Sequence, residues 1–138
     1  MTMGDLVRQM VAHLSDRRVP IPFENEAPWH ELFYQLKKED LPGKPRFFSE
    51  LIFDWDGPYP KCRQLSEFLH ALHWNACVSA FNPTFATITL PTEIANHWKT
   101  ETDGMDPEER SFVLNIVTMA QHEFESSNSA RYSYTCSL

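Results

Sequence analysis

Two aspartates, Asp54 and Asp56, stand two positions apart in the segment FDWDGPYP. In an extended segment, side chains at this spacing point to the same face, so two carboxylates can share a divalent cation. Aspartates that hydrogen-bond the backbone ahead of a turn at Gly57 explain the same pair. We favour this structural interpretation and expect no bound metal. A metal-dependent hydrolase or nuclease that uses Asp54 and Asp56 is kept as a second alternative.

Histidine and cysteine also occur at spacings that bear on zinc binding. His70 and His73 are one helical turn apart, Cys77 follows them, and Cys62 precedes them. A tetrahedral site needs four converging ligands. Cys62 and His70 are separated by roughly 12 Å along an intact helix at 1.5 Å per residue, so the four cannot surround one ion. The sequence therefore favours ordinary surface imidazoles and semi-buried thiols.

A nucleophilic enzyme would need an activated side chain with a neighbouring base. Cys62, predicted near a helix N-terminus and flanked by Lys61 and Arg63, is the thiol whose surroundings best favour reactivity. No serine-centred elbow, P-loop or dinucleotide fingerprint accompanies it, and the chain has only 4 glycines with which to build one. We expect a non-enzymatic protein without a cofactor.

The side chains that could contact a macromolecule begin the segment 61–74. Lys61, Arg63 and Gln64 fall in the predicted first turn of that helix, the part of a helix-turn-helix that contacts base edges. A DNA-binding regulator is therefore an alternative function. The following segment 77–90 carries no lysine or arginine for phosphate contacts, which weakens this alternative.

Aromatic residues around the Gly57 turn favour a protein partner instead. Trp55 and Tyr59 are flanked by aspartate and proline, so they are the aromatic side chains that we expect to reach the surface. An exposed aromatic ring surrounded by polar groups is typical of a protein-binding site. The predicted partner-binding residues are Trp55, Tyr59, Lys61, Arg63 and Gln64.

The elements that position these residues are mostly helices. Apolar residues at helical spacing predict helices over 5–13, from Pro28 through 36, and over 61–74, where Pro60 suits the first turn. We expect a short helix rather than a strand at 47–52, a helix from a Thr92 cap to 97 or 98, and a loop over 100–105. Asp106-Pro107-Glu108-Glu109 predicts the start of a long helix.

The best strand signals are the β-branched and aromatic segments 77–81 and 85–90, which flank a predicted turn at 82–84. Helix followed by hairpin is the order of a recognition helix and its wing. We predict an α+β, mostly helical chain with a winged-helix-like domain over 1–125, one β-hairpin and a long C-terminal helix. Residues 126–138 are polar and without periodicity, which predicts a flexible tail.

Charge and composition limit the function classes. The 138 residues carry a formal net charge of −7, with 42% hydrophobic and 13% aromatic residues, which fits a globular chain that does not bind nucleic acid through phosphate neutralisation. Three cysteines without a CxxC pair indicate reduced thiols, and the N-terminal segment lacks a long apolar stretch. We expect a cytoplasmic protein that does not bind membranes; homo-oligomerisation is left open.

The order of these parts resembles a known family. An aromatic helix (WHELFYQL), an acidic aromatic approach and the turn Gly57-Pro58-Tyr59 resemble small bacterial proteins built around a "GPYS" turn, related to Panacea-type antitoxins. The resemblance covers about residues 29–95, and Pro60 replaces the usual serine, which removes a hydroxyl cap. It implies a winged-helix-like fold and an interaction role in bacterial regulation, antitoxin activity or defence.

Overall fold

In the computed structural model of the protein, residues 1–22, 25–74 and 90–136 are described, with residues 72–74 and 127–136 by their backbone alone. The described part is mostly helical, with one small antiparallel sheet, as the α+β class predicts. Its elements are, in order, α1 (Met3–Asp16), α2 (Ala27–Lys38), a 3₁₀ helix (Arg46–Glu50), β1 (Phe53–Asp54), β2 (Lys61–Cys62), α3 (Arg63–Trp74), α4 (Thr92–Asp103) and α5 (Pro107–Cys136).

Helix α1 forms where the sequence predicts it and extends a turn further at its C-terminal end. Thr2 and Asp5 make a reciprocal capping box, in which each side chain accepts the other residue's backbone N–H at 3.1 and 2.9 Å. The apolar stripe of this helix is fully buried, with its members at Leu6, Val7, Met10, Val11 and Leu14.

The hydrophobic core lies between α1, α2 and α5. Its largest side chain is Trp29, whose ring centroid lies 5.0 Å from that of Phe124 on α5 and 6.3 Å from that of Phe33. The indole N–H of Trp29 donates to the carbonyl of Pro22 at 2.9 Å, so the buried ring leaves no polar group unsatisfied. Aromatic packing thus fixes α2 against the long C-terminal helix.

A buried polar network joins α1 to α4. Gln9 and Thr102 are both buried and hydrogen-bonded to each other, and the Gln9 amide also donates to Glu101 at 3.0 Å. The Thr102 hydroxyl proton goes to Gln9, so His13 Nε2, 3.0 Å from that hydroxyl, must be the donor of the remaining bond. Burial, followed by the nearby Lys99, lowers the pKa of His13. Because these polar groups hydrogen-bond to one another, they can be buried between α1 and α4.

The turn after β1 closes a hairpin that the sequence does not predict. Phe53 pairs with Cys62 and Asp54 with Lys61 in an antiparallel register. The predicted helix start at Pro60 is therefore wrong, because residues 61 and 62 are held extended by this pairing and α3 begins at Arg63. Lys61 belongs to β2 and not to the first turn of α3.

Helix α4 runs longer than predicted. The predicted cap at Thr92 is wrong, because Thr92 is the first helical residue, Pro91 is the cap residue and no side chain caps the helix. The predicted loop over 100–105 is wrong for residues 100–103, which are helical. Trp98 and Thr102 lie one turn apart on the buried face, and their packing against α1 extends the helix.

The start of α5 is confirmed: the Asp106 carboxylate accepts the backbone N–H of Glu108 at 3.1 Å, and Pro107 is the first helical residue. Its buried stripe extends from Phe112 to Phe124. The segment from 126 onward, for which the sequence predicts a flexible tail, continues the helix through Cys136, and its flexibility stays a prediction. No glycine or proline occurs after Pro107 to end it.

The predicted short helix at 47–52 is confirmed as helical, in the 3₁₀ form, over Arg46–Glu50. The predicted hairpin over 77–90 lies outside the described residues, apart from the buried Leu90. The winged-helix assignment therefore stays a prediction.

The C-terminus of α2 is capped by a lysine from the following loop. The Lys44 ammonium donates to the carbonyls of Leu36, Lys37 and Glu39 at 3.1, 3.0 and 2.7 Å. Positive charge at this end also suits the helix dipole. Gly43 makes the loop possible: its φ is +78°, and a β-carbon there would lie 2.7 Å from the Glu108 carbonyl of α5.

We expect Lys44→Met to lower the free energy of unfolding by about 2 kcal/mol, because three carbonyls lose a charged donor while the apolar stem is kept. Urea titration followed by circular dichroism measures the effect. Lys61→Met, at an exposed lysine that makes no ion pair in the described residues, is the matched control and should change stability little. Equal effects of the two substitutions would contradict the capping role.

Candidate functional site

The hairpin of β1 and β2 presents an aromatic face toward α2. The Tyr34 ring meets Phe53 and Trp55 edge-on, with centroid distances of 5.3 and 5.2 Å. Trp55 is nevertheless 60% exposed. We call these three residues, Tyr34, Phe53 and Trp55, the aromatic corner. The prediction that Trp55 reaches the surface is confirmed.

Two lysines of α2 border the aromatic corner. The Lys38 ammonium lies 4.6 Å from the centroid of the Tyr34 ring, within the range of a cation–π contact. The Lys37 ammonium lies 5.9 Å from the centroid of Phe53 and donates to the Leu51 carbonyl at 2.5 Å. Lys37 therefore holds the main chain just before β1, whereas Lys38 lies at the exposed edge of the corner.

Carboxylates occupy the other face of the hairpin. Successive residues of a strand alternate between faces, so Asp54 points away from the side occupied by Phe53. Its cross-strand neighbour is Lys61, and both are exposed. Asp56 is exposed in the turn that follows. The sequence-predicted residue Lys61 thus lies on the opposite face from Trp55.

Gln64 does not serve as a free contact residue. Its side-chain oxygen accepts the backbone N–H of Ile52 and the thiol of Cys62, at 3.2 and 3.3 Å, and its amide nitrogen donates to the Glu50 carbonyl at 3.2 Å. A primary amide that accepts and donates in this way imitates a peptide group of a neighbouring strand. Gln64 extends the two-residue ladder and holds Ile52 in position.

Arg63 begins α3 and is almost fully solvated, with 88% of its side chain exposed. Its guanidinium pairs with Glu67 at 3.1 Å. Such an exposed pair contributes little to stability. Of the residues proposed to contact base edges, Arg63 alone is both exposed and on α3, because Lys61 is in a strand and Gln64 is engaged by the backbone.

Tyr59 lies at a second cluster, between α2 and α3. Its ring centroid is 5.4 Å from that of the fully buried His30. Burial, followed by the negative charge of Glu26, raises the pKa of Tyr59. Ser66 donates to Glu26 at 2.7 Å, and Ser66 Oγ is 3.4 Å from His30 Nε2. The structure therefore places Tyr59 beside a histidine that neighbours a serine and a carboxylate.

This trio does not have the geometry of an acyl-transfer enzyme. His30 Nδ1 accepts the backbone N–H of Cys62 at 2.9 Å, so the proton of the neutral ring is on Nε2. Nε2 faces both Ser66 and Glu26, at 3.4 and 3.5 Å, and cannot accept the serine proton while carrying its own. In a catalytic triad, the serine and the carboxylate lie at different ring nitrogens.

The same hydrogen bond prevents His30 from ligating a metal through Nε2, whose lone pair is taken by the proton. His70 Nε2 lies 3.5 Å from Glu26 Oε2 and is half exposed. Within residues 1–22, 25–74 and 90–136, no group of three or more histidine, cysteine or acidic side chains could hold an ion. His73 and Cys77 of the zinc hypothesis lie outside the described side chains.

Cys62, the thiol whose surroundings were expected to favour reactivity, is fully buried. Its side chain faces inward because it pairs with Phe53, which packs against α2. The lysine and arginine beside it do not make this thiol available for reaction, because the residue precedes α3 in a strand whose inner face belongs to the core.

Sequence reasoning missed Tyr34 and Lys38 as surface residues. Tyr34 lies off the apolar stripe of α2, and Lys38 follows it by one helical turn, which is a signal for a stacked pair. It also missed Glu26, His30 and Ser66, since a histidine within an apolar helix gives no indication of its distant partners.

Comparisons of the chain with protein families, with curated proteins and with solved structures find no match. In the described part of the chain, none of the helices combines the length and apolarity needed to cross a membrane.

We expect Gln64→Ala to lower the free energy of unfolding by about 1–2 kcal/mol, because the Ile52 N–H and the Glu50 carbonyl lose their partner. Amide hydrogen exchange should accelerate at Ile52 more than in α1. Arg63→Ala, next to it on α3, is the control with little effect. If Gln64→Ala left exchange at Ile52 unchanged, the amide would not be extending the ladder.

The Glu26 carboxylate should make the free energy of unfolding depend on pH. Burial raises its pKa, but the hydrogen bonds from His30 and Ser66 and the charge of His70 outweigh burial, so the pKa is lowered from its ordinary 4.5. Because the pKa of Glu26 is lower in the folded chain, the unfolded chain binds this proton more tightly than the folded chain does. The ionised carboxylate therefore contributes its full stabilisation of the fold above pH 4.5, and this contribution is lost as pH falls through the lowered pKa.

The difference in unfolding free energy between the wild type and Glu26→Gln should therefore shrink as pH falls below 4.5. Urea titrations at several pH values measure it. Glu67→Gln, at a mostly exposed carboxylate, should give a difference that varies less with pH. A constant difference for Glu26→Gln would show that the carboxylate is not stabilised in the folded chain.

Proposed function

We propose that this chain is a non-enzymatic module that binds another protein through the aromatic corner. The observation that carries the proposal is the 60% exposure of Trp55, whose ring is held by Tyr34 on a structured hairpin. An exposed large apolar side chain bordered by charge is typical of protein interfaces, and tryptophan is enriched at the residues that dominate binding energy.

The corner is supported from several directions. Tyr34 buttresses the indole of Trp55. Gln64 binds the main chain at Ile52, Lys37 binds the carbonyl of Leu51, and His30 binds the N–H of Cys62. A surface held in this way loses little conformational entropy when a partner binds, which leaves more of the contact energy for affinity.

The geometry of the remaining candidates supports them less. His30 carries its proton on the nitrogen that a base would need, which favours a binding role over acyl transfer. DNA binding would rely on Arg63, with a net charge of −7 opposing it. As the resemblance to antitoxin-related proteins implies, we propose a cytoplasmic role in bacterial regulation, toxin neutralisation or defence, on a winged-helix-like domain.

The test uses the immobilised protein and a lysate of its source cells, with retained proteins identified by mass spectrometry and titrated individually. We expect Trp55→Ala to weaken the binding of a specifically retained partner by about 2 kcal/mol, roughly thirtyfold in Kd, because the complex loses an aromatic anchor that is buried on binding. Leu114→Ala is the matched control, since Leu114 on α5 is also an exposed large apolar residue.

Two outcomes would contradict this function. One is a partner whose affinity falls with Leu114→Ala and not with Trp55→Ala. The other is tight binding to duplex DNA at low salt that is lost in the Lys61→Ala/Arg63→Ala double variant, which would favour the DNA-binding alternative.

A further inference from the structure

The aromatic corner has more hydrogen-bond donors than acceptors. In the described residues, the indole N–H of Trp55 and the hydroxyl of Tyr34 have no hydrogen-bond partner, and the Lys38 ammonium contacts only the Tyr34 ring. The rings of Tyr34 and Trp55 are in contact, and the Lys38 ammonium lies against the Tyr34 ring, so the two rings and the cation form one continuous surface.

Three acidic residues of the elements around the corner have positions away from Lys38, whereas Asp56, next to Trp55, is exposed in the turn. On α2, Glu39 accepts from Gln35 at 2.9 Å, and Glu31 has its pKa raised by burial and by the charge of Glu123 on α5, which places it toward α5. On the hairpin, Asp54 shares the outward face with Lys61. Lys38 is thus the exposed cation at the α2 edge of the corner, on a chain whose net charge is −7.

We propose that the partner recognised at the aromatic corner is a peptide segment in which an apolar anchor is flanked by aspartate or glutamate. This inference rests on the proposed function and specifies its ligand. The anchor packs on Trp55, and the flanking carboxylate accepts from the Lys38 ammonium, the phenol or the indole. Charged acceptors form the stronger hydrogen bonds with such donors.

A peptide fits the corner better than a nucleic acid does. Single strands bind through basic grooves that follow many phosphates, with bases stacked on aromatic rings. Here the residues on either side of Trp55 are Asp54 and Asp56, both exposed, and they would repel a continuous phosphate backbone. An acidic peptide can place one or two carboxylates at Lys38 and avoid these aspartates.

The test uses three bead-bound nonapeptide libraries with a central leucine, phenylalanine or tryptophan and flanking positions drawn from Asp/Glu, Asn/Gln or Lys/Arg. The fluorescently labelled full chain is applied, and individual hits are titrated by fluorescence polarisation. We expect retention by the acidic library, with Trp55→Ala abolishing it. Lys38→Glu should weaken the affinity for the acidic peptides by about fivefold, and this variant should be retained by the basic library instead.

Lys61→Glu is the matched control, because it makes the same charge change on the opposite face of the hairpin and should leave the preference unchanged. Circular dichroism and thermal midpoints check that each variant is folded. Trp55-dependent binding without a preference for acidic flanks, or with equal effects of Lys38→Glu and Lys61→Glu, would overturn this inference and leave the proposed function standing.

No Trp55-dependent binding in any library, combined with no Trp55-dependent partner from the lysate, would overturn the proposed function together with the inference. A labelled oligodeoxythymidine is included as a further probe. Tighter Trp55-dependent binding to this oligonucleotide than to every peptide hit would overturn the choice of a peptide partner.

Discussion

The hydrogen bond from the Cys62 N–H to His30 Nδ1 is the constraint on which the arrangement of this chain depends. It joins β2 to the buried face of α2 across 32 positions of sequence. A backbone N–H buried without an acceptor costs about 1–3 kcal/mol, so the strand can occupy this place only because the imidazole meets it. The bond also determines the tautomer of His30, with the proton of the neutral ring on Nε2.

Side chains take the role that further strands have in a larger sheet. A two-stranded hairpin is marginal by itself in water. Here Gln64 continues the ladder, Lys37 binds the carbonyl before β1, and His30 binds the strand that leads into α3. The hairpin is therefore part of the helical core and not a separate appendage, which is why an exposed tryptophan on it can be held in one orientation.

Local signals predicted much of the fold. The stripe of α1, the proline near the start of α2 and the Asp106-Pro107 start of α5 each depend on neighbouring residues, and each is found. Residues 61–62 were misassigned because proline at 60 is compatible with both a helix start and a strand, and the deciding contact comes from His30. Trp55 was recognisable from its polar neighbours, whereas the Tyr34–Lys38 edge becomes meaningful only when α2 and the hairpin pack together.

The burial of Cys62 has a practical consequence. A thiol with no accessible surface reacts with an alkylating reagent only after the strand around it separates from α2. With the other two cysteines replaced by serine, the alkylation rate would report how often the hairpin opens. A ligand that binds only the closed hairpin would slow this rate in proportion to its occupancy. Alkylation of the buried Cys62 would therefore measure ligand binding at the exposed face of the hairpin.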